Sequence, residues 1–198
     1  MKAEQANISA ILMASGYSKR MGQNKLLLPF GHTTLLGRML DILHASGVIR
    51  EMILVAREND VIQAGKARVD RVIKNETAEQ GISQSIRLGT KKAKEDFYLF
   101  MPGDQPLLEP RHIRQIGLLA MEGKIVAPCA NGVIRGPCLF SNVFKRELCE
   151  LEGEEGGKKI IQRHAGVVIQ TEISPSEALE DADTWDIYKK MLKKINLA

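Results

Sequence analysis

The sequence predicts an α/β fold: a mainly parallel sheet with helices packed on both faces. Three observations carry that expectation. Short apolar runs rich in β-branched residues recur along the chain, among them Ile8–Ala14 (ISAILMA) and Glu51–Ala56 (EMILVA), the pattern of strands buried on both sides. Between such runs lie stretches whose apolar residues are three and four apart, the period of an amphipathic helix. Clusters of glycine, serine, asparagine and proline separate the two kinds of segment at short intervals.

Ile8–Ala14 is the length of one buried strand and leads into Ser15-Gly16-Tyr17-Ser18, then Arg20-Met21-Gly22 and Lys25. A small-residue loop after a strand turns successive backbone N–H groups outward as an anion cradle. Arg20 and Lys25 add the positive charge that a polyphosphate needs. The spacing is neither that of a Walker A loop nor G-x-G-x-x-G. Residues 26–30 are a short apolar segment leading to Gly31. Thr33 or Thr34 then offers a helix N-cap, and Leu36, Met39, Leu40 and Leu43 form one apolar stripe. That helix ends at Ser46-Gly47, glycine being suited to a left-handed cap.

Glu51–Ala56 reads as the second strand, 58–66 as a short helix and 69–74 as the third strand. A polar link from Asn75 to Ser85 enters a helix carrying Ile82, Ile86 and Gly89. The strand 97–101 runs into Pro102-Gly103-Asp104-Gln105-Pro106. Pro110 opens a helix, where its missing N–H costs nothing, and that helix reaches about residue 121. Strands follow at 125–129 and 133–141, then a helix at 143–151 and a charged, glycine-rich stretch at 153–159. A late strand at 167–173 precedes the closing helix, whose apolar stripe is Tyr188, Met191, Leu192 and Ile195.

A chain of 198 residues fits one domain, and no repeat, low-complexity tract or linker divides it, so 1–198 is expected to fold as a single unit. The net charge of +4 suits a phosphorylated small molecule and is too weak to argue for nucleic acid. No apolar run reaches membrane-spanning length and the N-terminal MKAEQAN lacks a signal-peptide core, so no membrane partner is expected. Cys129, Cys138 and Cys149 are odd in number and form no C-x-x-C pair, which points to buried free thiols in a reducing cytoplasm. His32, His44, His112 and His164 have no metal-ligand spacing. The lysine groups at 91–94 and 189–194 read as solvated helix faces.

Sites in parallel sheets lie beyond the carboxyl ends of the strands, which brings the loops at 15–25, 75–85 and 102–106 to one edge. Asp104 follows a buried strand and is placed to hold Mg²⁺, a hard cation usually shared with substrate phosphates. It is equally a turn residue, since Gly-Asp and Pro favour turns. Asp181-Ala182-Asp183-Thr184 precedes the last helix, where Asp and Thr are ordinary caps.

Gly16-x-Ser18-x-Arg20-Met21-Gly22-x-x-Lys25 resembles the signature loop of nucleotidyltransferases that activate cofactors and sugars. Within them it most resembles the molybdenum cofactor cytidylyltransferase group. Gly103-Asp104-Gln105-Pro106 is similar to that group's G-D-Q-P, Asp181-Ala182-Asp183-Thr184 to its D-x-D-T, and Asn75, Gly81 and Ser85 to its N…G-x-S-x-S. The resemblance runs from Ile8 to the last helix. It implies a Rossmann-like three-layer sandwich of the nucleotide-diphospho-sugar transferase type. It implies nucleotide binding by Ala14, Ser15, Gly16, Ser18, Lys25, Asn75, Gly81, Ser85 and Gly103. Lys25, Arg20 and Asp104 would act in catalysis, with Mg²⁺ on Asp104 and Asp183 and Asp181 in support.

The implied reaction moves CMP from CTP to molybdopterin or the molybdenum cofactor, serving a molybdenum hydroxylase apo-enzyme in the cytoplasm. Three departures stand out. Trp185 replaces the usual Pro after Thr184. Arg135-Gly136-Pro137 lacks one residue between Gly and Pro. Glu154 and Lys158 stand where Asp and Arg are usual, so the acceptor side is less defined than the nucleotide side. A transferase of the same fold using GTP or a sugar phosphate is the nearer alternative, although the guanylyl branch tends to carry Gly-Gly where this chain has Ala14-Ser15-Gly16. A non-catalytic cofactor carrier is the farther one, and it would not need both metal carboxylates. Sharing one Mg²⁺ would bring Asp104 and Asp183 close together, where they would repel without a cation between them, so neutralising either would stabilise the metal-free protein slightly or leave it unchanged.

Overall fold

β1 (Ile8–Ala14) forms where the apolar run predicts and is flanked by two parallel neighbours. The computed structural model describes residues 6–196, and most of the N-terminal stretch read for a signal core lies outside them. After β1 come β2 (Pro29–Phe30), β3 (Thr33–Thr34), α1 (Leu35–Ser46), β4 (Glu51–Ala56), α2 (Asn59–Gly65), β5 (Arg71–Lys74), α3 (Ile82–Lys92), β6 (Phe97–Pro102) and α4 (Pro110–Leu118). The remainder is β7 (Ile125–Ala130), β8 (Val133–Ile134), β9 (Cys138–Ser141), α5 (Lys145–Glu150), α6 (Gly157–Arg163), β10 (Val168–Glu172) and α7 (Trp185–Asn196).

The main sheet has the order β10-β7-β9-β6-β1-β4-β5, with β8 paired to β7. It is mostly parallel, as expected; β9 runs antiparallel to both β6 and β7. The chain moves from β1 outward to β4 and β5, then returns to β6 on the other side of β1. Crevices for ligands open at the carboxyl ends of strands where the order reverses in this way. Register aligns those ends: Ala14 pairs with Ala56 and Met13 with Pro102, so Ser15, Arg57 and Gly103 emerge together.

Alternation along β1 divides the core into two layers. Ala10, Leu12 and Ala14 join Leu36, Met39, Leu40 and Leu43 of α1 and Ile113 and Ile116 of α4. Ile11 joins Ile86 of α3, Phe100, Phe140 and Leu148 on the opposite face. Each fully buried Leu or Ile contributes about 1.5–3 kcal/mol relative to exposure. Gly89 lets α3 lie close on β1, because a Cβ there would come within 2.4 Å of an Ile11 side-chain carbon. Thr34 caps α1, its hydroxyl accepting from the Gly37 N–H at 3.1 Å, and Gly47 (φ 72°) closes it in the left-handed region.

A third cluster positions the site. Met21 and Phe30 pack with Leu35, Ala182, Tyr188 and Met191, fastening α7 to the loop after β1. Trp185, which replaces the usual proline, donates its indole N–H to the Met21 carbonyl at 3.2 Å. The Tyr188 hydroxyl donates to the Pro29 carbonyl.

Several boundaries differ from expectation. The single strand expected at 133–141 is two short ones, because Pro137 has no N–H for a ladder and Gly136 is packed against Pro102. The glycine-rich stretch at 153–159 starts a helix, α6, which buries Ile160 and Ile161; that burial outweighs the roughly 1 kcal/mol helix cost of a glycine. Of the cysteines, all free, only Cys129 is buried.

Candidate active site

The loops after β1, β5 and β6 enclose a cleft of about 580 Å³ at the carboxyl edge of the sheet. Ala14, Ser15, Gly16, Ser18 and Lys25 line it from the first loop, Gly81 and Ser85 from the second, Gly103 and Asp104 from the third. Backbone contacts hold the three together. Ser18 takes a left-handed φ of 48°, and its hydroxyl accepts from the Lys25 N–H at 3.2 Å. The Gly103 N–H donates to the Met13 carbonyl at 3.1 Å. Gly81 has φ 98°, and a Cβ on it would fall 2.1 Å from the Gly153 carbonyl oxygen, so only glycine fits there. That close approach brings Glu154 to the cleft wall.

At one end of the cleft Lys25 bridges two carboxylates. Its Nζ lies 2.5 Å from Asp104 Oδ2 and 2.8 Å from Asp183 Oδ1, while Arg20 Nη1 lies 3.0 Å from Asp183 Oδ2. The Ala182 N–H donates to the Asp104 carbonyl at 2.8 Å, which ties the D-x-D-T segment to the loop after β6. Thr184 supplies the cap of α7, its hydroxyl accepting from the Ile187 N–H at 3.4 Å. Asp183 is therefore spared that task and faces the cations instead.

Burial pulls the Lys25 ammonium toward a lower pKa, but Asp104 and Asp183 outweigh it and hold the group above the usual lysine value. Hydrogen bonding from Lys25 holds Asp183 below the usual carboxylate range. Asp181 goes the other way: burial and the neighbouring Asp104 push it up to about 6, against the hydrogen bond that it accepts from Gln105 Nε2 at 3.0 Å.

An acid with a raised folded-state pKa holds its proton in the native state while the unfolded chain has lost it. The contribution of Asp181 to stability therefore falls as pH rises from about 4 to about 6. Asp181→Asn is expected to remove that dependence. Denaturant melts in metal-free buffer should show the variant gaining on the parent across that window, whereas a constant difference would reject the shift.

The residues fit a divalent cation. The donor set is all oxygen, and both carboxylates already converge on one cationic atom, the Lys25 ammonium. Among the described residues no group of three or more His, Cys, Asp or Glu side chains is placed to hold a metal. Two carboxylates are what Mg²⁺ ordinarily takes from protein, with water and phosphates completing the shell.

Not every expected residue meets the cleft. Asn75 is fully buried behind it, its Nδ2 donating to Ser85 Oγ at 3.2 Å and its Oδ1 accepting from the Thr77 N–H at 3.3 Å. Its part is to fix Ser85. Arg20 lies outside the wall with its side chain 70% exposed, reaching the site only through Asp183. Tyr17, Lys19 and Glu79 line the cleft without having been singled out. The first two fill variable positions of the signature, and Glu79 carried no signal.

Residues 10–167 match the MobA-like NTP transferase domain. The chain belongs to that family. As a MobA-like protein it is similar to the molybdenum cofactor cytidylyltransferase of Escherichia coli strain K12, at 28% identity over 90% of this chain and 92% of the relative. It is similar to the purine catabolism protein PucB of Bacillus subtilis strain 168 at 27% identity over the same shares of each chain. In fold it matches the structure of a nucleotidyl transferase from Methanothermobacter thermautotroptrophicus, with a TM-score of 0.86 and 23% identity over 96% of this chain and 98% of the other. The MobA-like chain is a nucleotidyltransferase of this type, and among its described residues no helix is long and apolar enough to cross a membrane.

Proposed function

We propose that the protein transfers CMP from CTP to the phosphate of molybdopterin, or of its molybdenum-loaded form, releasing pyrophosphate. The product would be the cytidine dinucleotide cofactor of a molybdenum hydroxylase, made in the cytoplasm. The observation that carries the reading is the convergence of Lys25, Asp104 and Asp183 at the end of a nucleotide-sized cleft, together with similarity to a cytidylyltransferase over most of the chain.

A phosphate oxygen of the acceptor forms the new bond to the α-phosphorus of CTP. The bond from that phosphorus to the bridging oxygen breaks, and its electron pair leaves with pyrophosphate. The acceptor phosphate is ionised at neutral pH, so no protein group has to remove a proton. The chain's task is positioning and charge neutralisation. Backbone N–H groups at 15–18 cradle the phosphates, and Ser85, held by Asn75, addresses the nucleoside. Lys25, within the first loop, stabilises charge that builds on the α-phosphate and the departing group. Asp104 and Asp183 would hold Mg²⁺, which when bound supplies further neutralisation and alignment of phosphate oxygens.

CTP with Mg²⁺ is expected to bind more tightly than GTP or UTP, given the Ala14-Ser15-Gly16 triplet and the Asn75–Ser85 segment. Calorimetry checks this directly, and equal affinities for the three would remove the assignment of the base.

A further inference from the structure

Arg57 and Glu58 belong to none of the motifs and do not line the cleft, yet they leave β4 at the edge where the signature loop begins, because Ala14 and Ala56 are paired in register. Glu58 Oε2 accepts a hydrogen bond from Asn24 Nδ2 at 2.7 Å. The oxygen of the same amide, Asn24 Oδ1, accepts from the Leu26 N–H at 3.0 Å. Asn24 is the N-cap of the single helical turn Lys25–Leu27, so the orientation of its amide sets where Lys25 starts its reach toward Asp104 and Asp183. The terminal torsion of asparagine is broad and two-fold. Glu58, an acceptor only, selects the orientation that turns the amide oxygen to Leu26. The other carboxylate oxygen, Oε1, is held by Arg57 Nη2. The Arg57 guanidinium in turn lies 4.2 Å from the centroid of the Tyr17 ring, a cation–π distance, and Tyr17 lines the cleft near the start of the same loop. Two consecutive residues thus grip the signature loop near both ends.

We infer that Glu58 is a positioning residue for nucleotidyl transfer, fixing Lys25 through Asn24, while Arg57 holds the far carboxylate oxygen of Glu58. What Lys25 then does rests on the proposed function; the grip itself is a property of the loop. Misplacing a catalytic group by a fraction of its reach lowers turnover without removing the substrate's other contacts. Glu58→Ala should therefore lower kcat about tenfold and leave the nucleotide KM nearly unchanged. Glu58→Gln keeps an oxygen acceptor for Asn24 and should recover most of the loss.

The test combines steady-state kinetics with amide hydrogen exchange on the full chain as Glu58→Ala, Glu58→Gln, Asn24→Ala and the Asn24→Ala/Glu58→Ala double variant. The expected result is faster exchange at Lys25 and Leu26 in Glu58→Ala, slowed again in Glu58→Gln. The single losses in kcat should match, with no further loss in the double variant, because the two groups act in series. Unchanged exchange at Leu26, losses that multiply, or a lower melting temperature with kcat intact would overturn the inference. Exchange is read without substrate, so a parent protein inactive with every nucleotide would refute the proposed function while the exchange result still decided the grip.

Discussion

Replacing Lys25 by methionine is expected to lower kcat about 30- to 1,000-fold, the equivalent of roughly 2–4 kcal/mol of transition-state stabilisation. Nucleotide affinity should change far less, because the charge matters most as negative charge develops on the departing pyrophosphate. A raised KM with kcat intact would instead assign Lys25 to ground-state binding. The same substitution has a second expected effect on the protein without ligands. Lys25 is the ammonium between Asp104 and Asp183, with Asp181 beside them, its pKa raised by burial and by Asp104. Methionine leaves carboxylates facing one another, so the melting temperature in chelator should fall and Mg²⁺ should restore much of it.

Asp104→Asn and Asp183→Asn are each expected to abolish metal-dependent turnover, a loss of about 100-fold or more, and the double variant should lose little beyond either. The reason is that a shared ion needs both carboxylates, so the second removal takes away nothing that still functions. Independent losses that multiply would count against a shared ion. From sequence alone the two carboxylates would repel in the absence of metal, and neutralising one would stabilise the protein slightly or leave it unchanged. The structure corrects that expectation, since Lys25 lies between them and each substitution breaks an ion pair. In chelator both variants should therefore melt slightly lower than the parent. The cost at Asp183 should be no more than ~1 kcal/mol, because its side chain is 34% exposed and solvent screens the pair.

The sheet and the first loop were legible in the sequence because they are local. β1 is an uninterrupted apolar run, and the glycine and serines after it favour the turn geometries of a loop. Asp104 was legible from a strand ending in Pro-Gly-Asp. Asp183 was identified through family resemblance, because composition alone could not separate a ligand from a helix cap; the structure gives the cap to Thr184. The bridge from Lys25 to both carboxylates was not legible. It depends on α7 folding back onto Met21 through Trp185 and Tyr188, a contact between the two ends of the chain that no local pattern encodes. The role of Asn75 shifted for a similar reason: an asparagine in a polar segment looks solvent-facing until the packing behind Ser85 buries it. The start of α6 at Gly157 was hidden by glycines that only the burial of Ile160 and Ile161 overrides.

Pyrophosphate release from CTP, GTP and UTP, each with Mg²⁺ and purified molybdopterin, tests the proposed reaction most directly. The expected result is release with CTP well above the other two nucleotides, dependent on molybdopterin, with CMP appearing in the pterin product. Release with GTP at or above the CTP rate, or no molybdopterin-dependent release with any of the three, would contradict it.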